Sequence, residues 1–316
     1  MKRFKMLGVA ALLALLVFAV GCGGPAAENE PKDEPPETRV ITHAMGETEI
    51  PANPQRVIDL VGILDHMVAL DLRVIASPSA ISWAGFDFAP YLVELHKEPI
   101  TAVGDGWDFS LEQILSLEPD VILMYEGMEA YEELSKIAPT IVLSYEWGNL
   151  HEGLQELGKV FGRENKAEEV LKRYEEKAAL ARDQLSQSIG DEEVMFLRIS
   201  DKFYRVYGRI DNQVPRLLYD DLGLTFMQEF PIDEWKQDLT LEGLTVYNPG
   251  HIFVETNAGE GPERLLKELE ASNVWNSLQA VQAGNIYNGD GFIYYAQGTI
   301  GSSILIDQIL EDMLGN

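Results

Sequence analysis

From Glu164 to Ser188 the chain runs for 25 residues without a glycine or proline. Ala167, Val170, Leu171, Tyr174, Ala178, Ala181 and Leu185 recur there at helical spacing, one apolar stripe on an otherwise charged segment. At 1.5 Å per residue such a helix is about 38 Å long, the span of a whole domain. The stripe is too short and too rich in alanine for a coiled-coil seam, which needs sustained heptads. A surface helix on a single domain is the plainer alternative, so the use of this rod depends on what flanks it.

On its N-terminal side, strands are expected at Arg56–Leu60, Arg73–Ala76, Ile100–Val103, Val121–Met124 and Thr140–Leu143, with helices at Ile63–Leu70, Ser110–Leu117 and Met128–Ile137 between them. On its C-terminal side the pattern restarts. Strands are expected at Glu193–Ile199, Phe203–Tyr207, His251–Glu255 and Asn285–Tyr287, and helices at Gln213–Leu222, Glu263–Leu269 and Ser302–Leu314. Strands alternating with helices imply α/β architecture with parallel pairing. A weak repeat links the two sides. Ser110-Leu111-Glu112 leads through Glu118-Pro119-Asp120 into Val121-Ile122-Leu123. Thr240-Leu241-Glu242 leads through Asn248-Pro249-Gly250 into His251-Ile252-Phe253-Val254. Each unit is a capped helix with an acid in its first turn, then a proline turn into an apolar strand.

The N-terminus reads as a targeting segment. Lys2, Arg3 and Lys5 precede the charge-free run Met6–Val20, too short for a span of roughly 20 residues. Ala19-Val20-Gly21-Cys22 resembles a bacterial lipobox, with Ala19 where leucine is commoner, and Cys22 is the chain's only cysteine. A signal peptide over 1–21 and a lipidated, flexible tether over 22–38 follow, the latter rich in Gly, Pro, Glu and Lys with little to bury. The expected location is the extracytoplasmic face of a cell membrane, held by acyl chains on Cys22. Removing the three basic residues of the signal from the 24 Lys and Arg leaves 21 against 52 acids, a net charge of −31. That excludes nucleic acid and anionic membrane surfaces as natural partners.

The stretches His43-Ala44-Met45-Gly46-Glu47-Thr48, Ile50-Pro51-Ala52-Asn53-Pro54-Gln55-Arg56-Val57, Leu111-Glu112-Gln113-Ile114, Glu118-Pro119-Asp120-Val121-Ile122 and Lys136-Ile137-Ala138-Pro139-Thr140 resemble the substrate-binding lipoproteins of iron–siderophore and cobalamin ABC importers. The resemblance implies two Rossmann-like α/β lobes with mostly parallel sheets, joined by a single long α-helix, with the ligand in the cleft between them. The lobes would then be 39–163 and 189–316, with 164–188 as the connecting helix. It further implies a monomer whose Glu112 and Glu242, one per lobe, dock on arginines of a permease. Charge complementing a helix dipole is the alternative role for either glutamate.

In open α/β sheets ligands lie beyond the carboxyl ends of the strands. The loops there carry Trp83, Trp107, Tyr125, Trp147, Arg198, Asn257, Phe292, Tyr294 and Tyr295. Between Arg198 and Arg216 the chain has Arg198, Lys202, Arg205, Arg209 and Arg216 against Asp201 and Asp211, a local surplus of positive charge. Strand alternation puts Phe203, Arg205 and Tyr207 on one face. Arginine suits hydroxamate, carboxylate or catecholate oxygens because its planar fork donates paired hydrogen bonds. Salt bridges to the abundant acids are the competing use. The expected ligand contacts are Arg198, Arg205, Arg209, Trp83, Trp107, Tyr125, Tyr294 and Tyr295. The loop Asn285–Ser303 has no arginine, unlike that of some carboxylate-siderophore binders, which turns the expectation toward a hydroxamate or mixed citrate–hydroxamate chelate.

Haem or cobalamin would suit the same architecture. A tethered enzyme is disfavoured, since G-x-S-x-G, P-loop and H-E-x-x-H patterns are missing from the sequence. A tethered structural lipoprotein would not need the basic segment. His43, His66, His96, His151 and His251 are scattered, so the expectation is no protein ligand to metal and no cofactor: iron would arrive already chelated.

Overall fold

The computed structural model describes residues 37–79, 85–105, 108–144, 149–210, 212–256 and 261–315. The chain begins with an antiparallel hairpin, β1 (Thr38–His43) and β2 (Gly46–Pro51), paired from Thr38↔Pro51 to His43↔Gly46. There follow β3 (Val57–Asp59), α1 (Leu64–Ala69), β4 (Val74–Ser77), α2 (Pro90–His96), β5 (Thr101–Ala102), α3 (Leu111–Ser116), β6 (Val121–Tyr125), α4 (Tyr131–Leu134), β7 (Thr140–Leu143) and α5 (Leu150–Phe161). The strands form a wholly parallel sheet in the order β5-β4-β3-β6-β7. Parallel sheets need cover on both faces. Here Val57, Leu123, Ile141 and Leu143 bury one face, and Ile58, Ala76, Ile122 and Met124 bury the other.

The rod, α6, spans Glu164–Ile189, one residue beyond the expected end, and buries the expected stripe together with Ile189. After it come β8 (Val194–Ile199), β9 (Tyr204–Tyr207), α7 (Gln213–Pro215), β10 (Lys236–Leu239), β11 (His251–Glu255), α8 (Glu263–Glu270), α9 (Asn273–Ser277), α10 (Gln279–Ala283), β12 (Ile286–Asn288), α11 (Phe292–Tyr295) and α12 (Thr299–Leu314). The second sheet runs β10-β9-β8-β11-β12. It is mixed rather than mostly parallel: β8-β11-β12 are parallel, whereas β8-β9 and β9-β10 are antiparallel. The cause is local. The Ser200 hydroxyl accepts the N–H groups of Lys202 and Phe203, and Ser200 donates its own N–H to the Phe203 carbonyl, folding the chain straight back.

Three expected helices are shorter or tighter than the sequence implies. Met128–Ile137 reduces to the single turn α4. Gln213–Leu222 splits at Pro215 into α7 and a π-helical turn, Arg216–Asp221, where the Leu222 N–H reaches the Leu217 carbonyl. The second repeat unit is a 3₁₀ turn, Glu242–Val246, although its cap matches its counterpart: Ser110 Oγ accepts from the Gln113 N–H and Thr240 Oγ1 from that of Gly243, both at 3.2 Å.

The two lobes share one continuous apolar core, carried across by α1, α6 and α12. Along α6, Lys177 Nζ holds the Ser303 carbonyl at 2.7 Å and Asp307 at 2.6 Å on α12. Tyr174 donates its hydroxyl to Asp221 at 2.5 Å, and Arg182 donates to the Asp220 and Asp221 carbonyls. The firmest joint between lobes is polar. Buried Asp65 on α1 accepts the N–H groups of Ile300 (3.1 Å) and Gly301 (2.9 Å) in the first turn of α12, and the hydroxyl of Tyr91 (2.8 Å) on α2. A side chain from one lobe thus caps a helix of the other. Tyr91 stacks on Tyr295, with centroids 4.9 Å apart. The chain segment 189–316 is therefore not a free-standing lobe, because its last helix is seated on the first. Asp65→Ala strands two N–H groups and a hydroxyl and is expected to cost about 2–4 kcal/mol, measured by urea unfolding.

Candidate ligand-binding site

The Asp65 joint brings together the segment leaving the carboxyl end of β3 and the one following β12. On the N-terminal side the carboxyl edge is built by Asp59. Its buried carboxylate accepts the N–H groups of Val61, Gly62 and Ile63 at 2.8–2.9 Å and the Ser77 hydroxyl at 2.8 Å. Burial raises the Asp59 pKa against the opposing pull of those four bonds. Tyr125 ends β6, half-buried, its N–H directed to Met128 Sδ at 3.3 Å.

The C-terminal edge carries a row of charge that only register can create. Asp238 on β10 pairs with Arg205 on β9, Arg205 with Arg198 on β8, and Arg198 with Glu255 on β11. Partners across a sheet share a face, so carboxyl, guanidinium, guanidinium and carboxyl stand side by side across four strands. The two central cations would repel, and the outer acids offset that repulsion. Arg205, its side chain 10% exposed, donates Nε to Asp238 Oδ1 at 2.5 Å and NH2 to Oδ2 at 2.9 Å. Its guanidinium also lies 3.8 Å from the Phe203 ring centroid and near the rings of Tyr207 and Trp235. Burial works against the charge on Arg205, but the Asp238 and Tyr207 hydrogen bonds outweigh it and hold the pKa above its usual value. Conversely, the Arg205 hydrogen bond holds Asp238 below the usual carboxylate range, helped by Lys236.

Arg198, 14% exposed, donates to the Tyr207 hydroxyl at 2.7 Å and lies 3.3 Å from Glu255. Glu255 is fully buried. Burial pushes its pKa up to about 8; Arg198 and the N–H groups of Gly291 and Ile293 pull it down, and Asp290 adds to the rise.

The arginine surplus read from the sequence is therefore largely spoken for. Arg209, exposed beyond β9, is ion-paired with Asp220. The salt-bridge use holds for all three candidate arginines, and of their acidic partners Glu255, beside Arg198, is the one whose pKa burial raises. Tyr294 and Tyr295 lie together on α11 with centroids 5.0 Å apart, Tyr294 buried and Tyr295 at the interlobe stack. Phe292, expected as cleft wall, is instead core, packed on Phe196 and Phe253. Trp83, Trp107, Trp147, Asn257 and Cys22 lie outside the described residues. Glu112 and Glu242 are both exposed, at the starts of α3 and of the 3₁₀ turn.

Sequence reasoning missed Asp65, Asp238 and Glu255. A carboxylate closing the apolar strand His251-Ile252-Phe253-Val254-Glu255 was a readable signal; the partners of Asp238 and Asp65 were not. Each histidine has a local partner: His43 Thr48, His66 the Leu150 carbonyl, His96 the Val74 N–H, His151 Glu175 and His251 Glu192. Among the described residues no group of three His, Cys, Asp or Glu could hold a metal ion. A groove of about 580 Å³ lies elsewhere, on the outer edge of the first sheet, lined by Arg39, His43, Glu152, Glu156 and Lys159 with charge of both signs.

Two α/β lobes joined by one rod match the architecture of a two-lobed substrate-binding protein. The chain belongs to the periplasmic binding protein family, whose model matches residues 69–291. Members of this family are substrate-binding proteins rather than enzymes. Over 98% of both chains it is 26% identical to the iron(3+)-hydroxamate-binding protein FhuD of Bacillus subtilis. It is 28% identical to the iron(3+)-hydroxamate-binding protein YxeB of the same organism, over 99% of this chain and 97% of the relative. Among solved structures, Staphylococcus aureus SirA complexed with staphyloferrin B superposes with a TM-score of 0.73 at 26% identity, covering 88% of this chain and 99% of that one.

Two pH effects follow. The depressed Asp238 contributes stability above its usual pKa of 3.8, lost as pH falls through its lower folded value. The melting temperature of Asp238→Asn should therefore lie below wild type at pH 7 and converge with it in strong acid. Glu255 behaves oppositely. Its raised pKa gives stability that is complete below 4.5 and lost as pH rises through about 8. Glu255→Gln should flatten that loss in a melting series from pH 4 to pH 9.

Proposed function

We propose that this chain is the extracytoplasmic receptor of an ABC importer and captures a ferric siderophore of hydroxamate or mixed citrate–hydroxamate type. The observation that carries the ligand class is the charge row. Arg205 is paired with Asp238, Arg209 with Asp220 and Arg198 with Glu255, so each candidate arginine already has an acid against it and the row carries little net positive charge. That suits the polarised oxygens of a hydroxamate or a single free carboxylate better than a polyanion, whose desolvation needs several cations. The names of FhuD and YxeB agree with this class.

Arg198, with Arg205 beside it and Arg209 at the margin, would meet chelate oxygens. Trp83, Trp107, Tyr125, Tyr294 and Tyr295 would supply rigid apolar walls that lose little entropy. Iron would enter fully chelated, with no ligand from the protein and no resident cofactor. Glu112 and Glu242 would dock on a permease, one from each lobe, and lipid on Cys22 would hold a monomeric receptor at the membrane face. The shared core and the Asp65 joint favour small closing motions over a wide hinge.

Quenching of tryptophan fluorescence against a panel of ferric chelates tests the reading. Ferric hydroxamates should bind saturably and at least about tenfold more tightly than ferric polycarboxylates at pH 7.5; tighter binding of the polycarboxylates, haem or cobalamin would overturn it. Glu112→Ala together with Glu242→Ala should leave affinity unchanged while cellular uptake stops, and persisting uptake would remove the docking assignment.

A further inference from the structure

The groove of about 580 Å³ on the outer edge of the first sheet has no task in the capture of a chelate as proposed. β7 is the last strand of that sheet, and the groove is walled by β1, β7 and α5. Buried Ile141 and Val160 supply its apolar part. Its charges are Arg39 on β1 and Glu152, Glu156 and Lys159 on α5. Acids outnumber Lys and Arg in this chain by 52 to 24, so a cation finds a partner easily. Among the described residues, none of these four groups forms an ion pair.

Their placement explains this. Arg39 NH2 donates to the Lys159 carbonyl at 2.9 Å. The guanidinium lies over Gly162, where a β-carbon would overlap it. Gly162 closes α5 in the left-handed conformation, with φ 63°, so the same missing side chain ends the helix and seats the arginine. Among the described residues the buried Nε of Arg39 has no acceptor. A buried charged donor left in that state is costly, and a carboxylate would relieve it. The acids stand further back along the helix. Glu152, Glu156 and Lys159 share one face of α5, about one to two turns or about 5–10 Å from end to end. Glu156 accepts the Ser144 N–H just past β7 at 3.4 Å, a long bond. Burial raises the Glu156 pKa, the Ser144 N–H and Lys159 oppose the rise, and Glu152 adds to it. The groove is thus neutral in sum and polarised along its length.

We propose that this groove is a second binding site, for a linear zwitterion whose carboxylate meets Arg39 and Lys159 and whose ammonium meets Glu156 and Glu152. The site is separate from the siderophore reading and does not rest on it. A ligand with one charge would leave the opposite end uncompensated. The chain between the two charges would lie on Ile141 and Val160, in a volume usual for a small-molecule site. A short peptide and an aliphatic amino acid share this chemistry. The N–H groups of Val142 and Ser144, held by His43 Nδ1 and Glu156 at 3.4 Å each, are where peptide amides would be told from methylenes.

The test titrates the full chain by calorimetry at pH 7.5 with tri-alanine and with 6-aminohexanoate. Each is compared with analogues that lack one charge: N-acetyl-tri-alanine and tri-alaninamide for the first, hexanoate and hexylamine for the second. At least one zwitterion should bind saturably with a dissociation constant of about 1 mM or below, and its singly charged analogues at least about tenfold more weakly. The tighter of the two zwitterions identifies the source as peptide or aliphatic. Arg39→Gln should weaken that zwitterion about tenfold and change the analogue without a carboxylate by less than about twofold. Glu156→Gln should do the same with the analogue without an ammonium. Lys159→Gln, on the exposed face of α5, should weaken the zwitterion in the same sense as Arg39→Gln, and it keeps the test open where loss of Arg39 lowers the melting temperature. Absence of saturable binding by both zwitterions overturns the proposal. So do singly charged analogues that bind as tightly, or an affinity indifferent to all three substitutions.

Discussion

One carboxylate of the first lobe, Asp65, caps the first turn of the last helix of the second, and the arrangement of the two lobes depends on that bond set. Without it the connection would rest on α6 and apolar contact, which resist separation but specify orientation poorly. Hydrogen bonds are directional, and three converging on one buried group leave little freedom of rotation. Tyr91 extends the joint by bonding Asp65 and stacking on Tyr295, so Tyr295 is oriented by the same contact that fixes the lobes.

The charge row shows a second constraint, in which sheet register governs chemistry. Two arginines directly opposed on neighbouring strands are an unfavourable pair, and they persist because acids occupy both outer positions. The two halves of the row differ in environment. Asp238 is partly exposed, bound to two cations and held ionised; Glu255 is sealed in, and burial outweighs the arginine. A row symmetric in residue type is thus asymmetric in environment.

Much of the framework is legible in the sequence. The stripe of α6 can be read residue by residue, because apolar positions recurring every 3.6 residues over about seven turns fit a helix and do not fit a strand. The apolar strands β6, β7, β8 and β11 stand out as short runs of buried-type residues between turn signals. The hairpin β1–β2 and the edge strand β10 do not: their residues are mostly polar, and their pairing is decided by neighbours rather than by hydrophobic pattern. In α5, Leu150, Leu154, Leu157, Val160 and Phe161 form a usable stripe behind the Asn149 cap, a signal the sequence reading did not use. The site is less legible than the scaffold. Placing Phe203, Arg205 and Tyr207 on one face needs only alternation, but finding Asp238 and Glu255 beside the arginines needs the register of strands far apart in the chain. The weak repeat holds where it is anchored by a side-chain cap and fails where a helix length is inferred from it.

Gly298 and Gly301 sit at the seam between the lobes with no room for a side chain. A β-carbon on the first would overlap the Asp65 carboxylate, and one on the second would strike the Tyr295 carbonyl and the Tyr91 hydroxyl. Neither glycine is there for an unusual backbone angle; both are there because something else fills the space. A single methyl group at either position is consequently a wedge, and it offers protein engineers a way to prop such a receptor ajar without touching a residue that meets cargo.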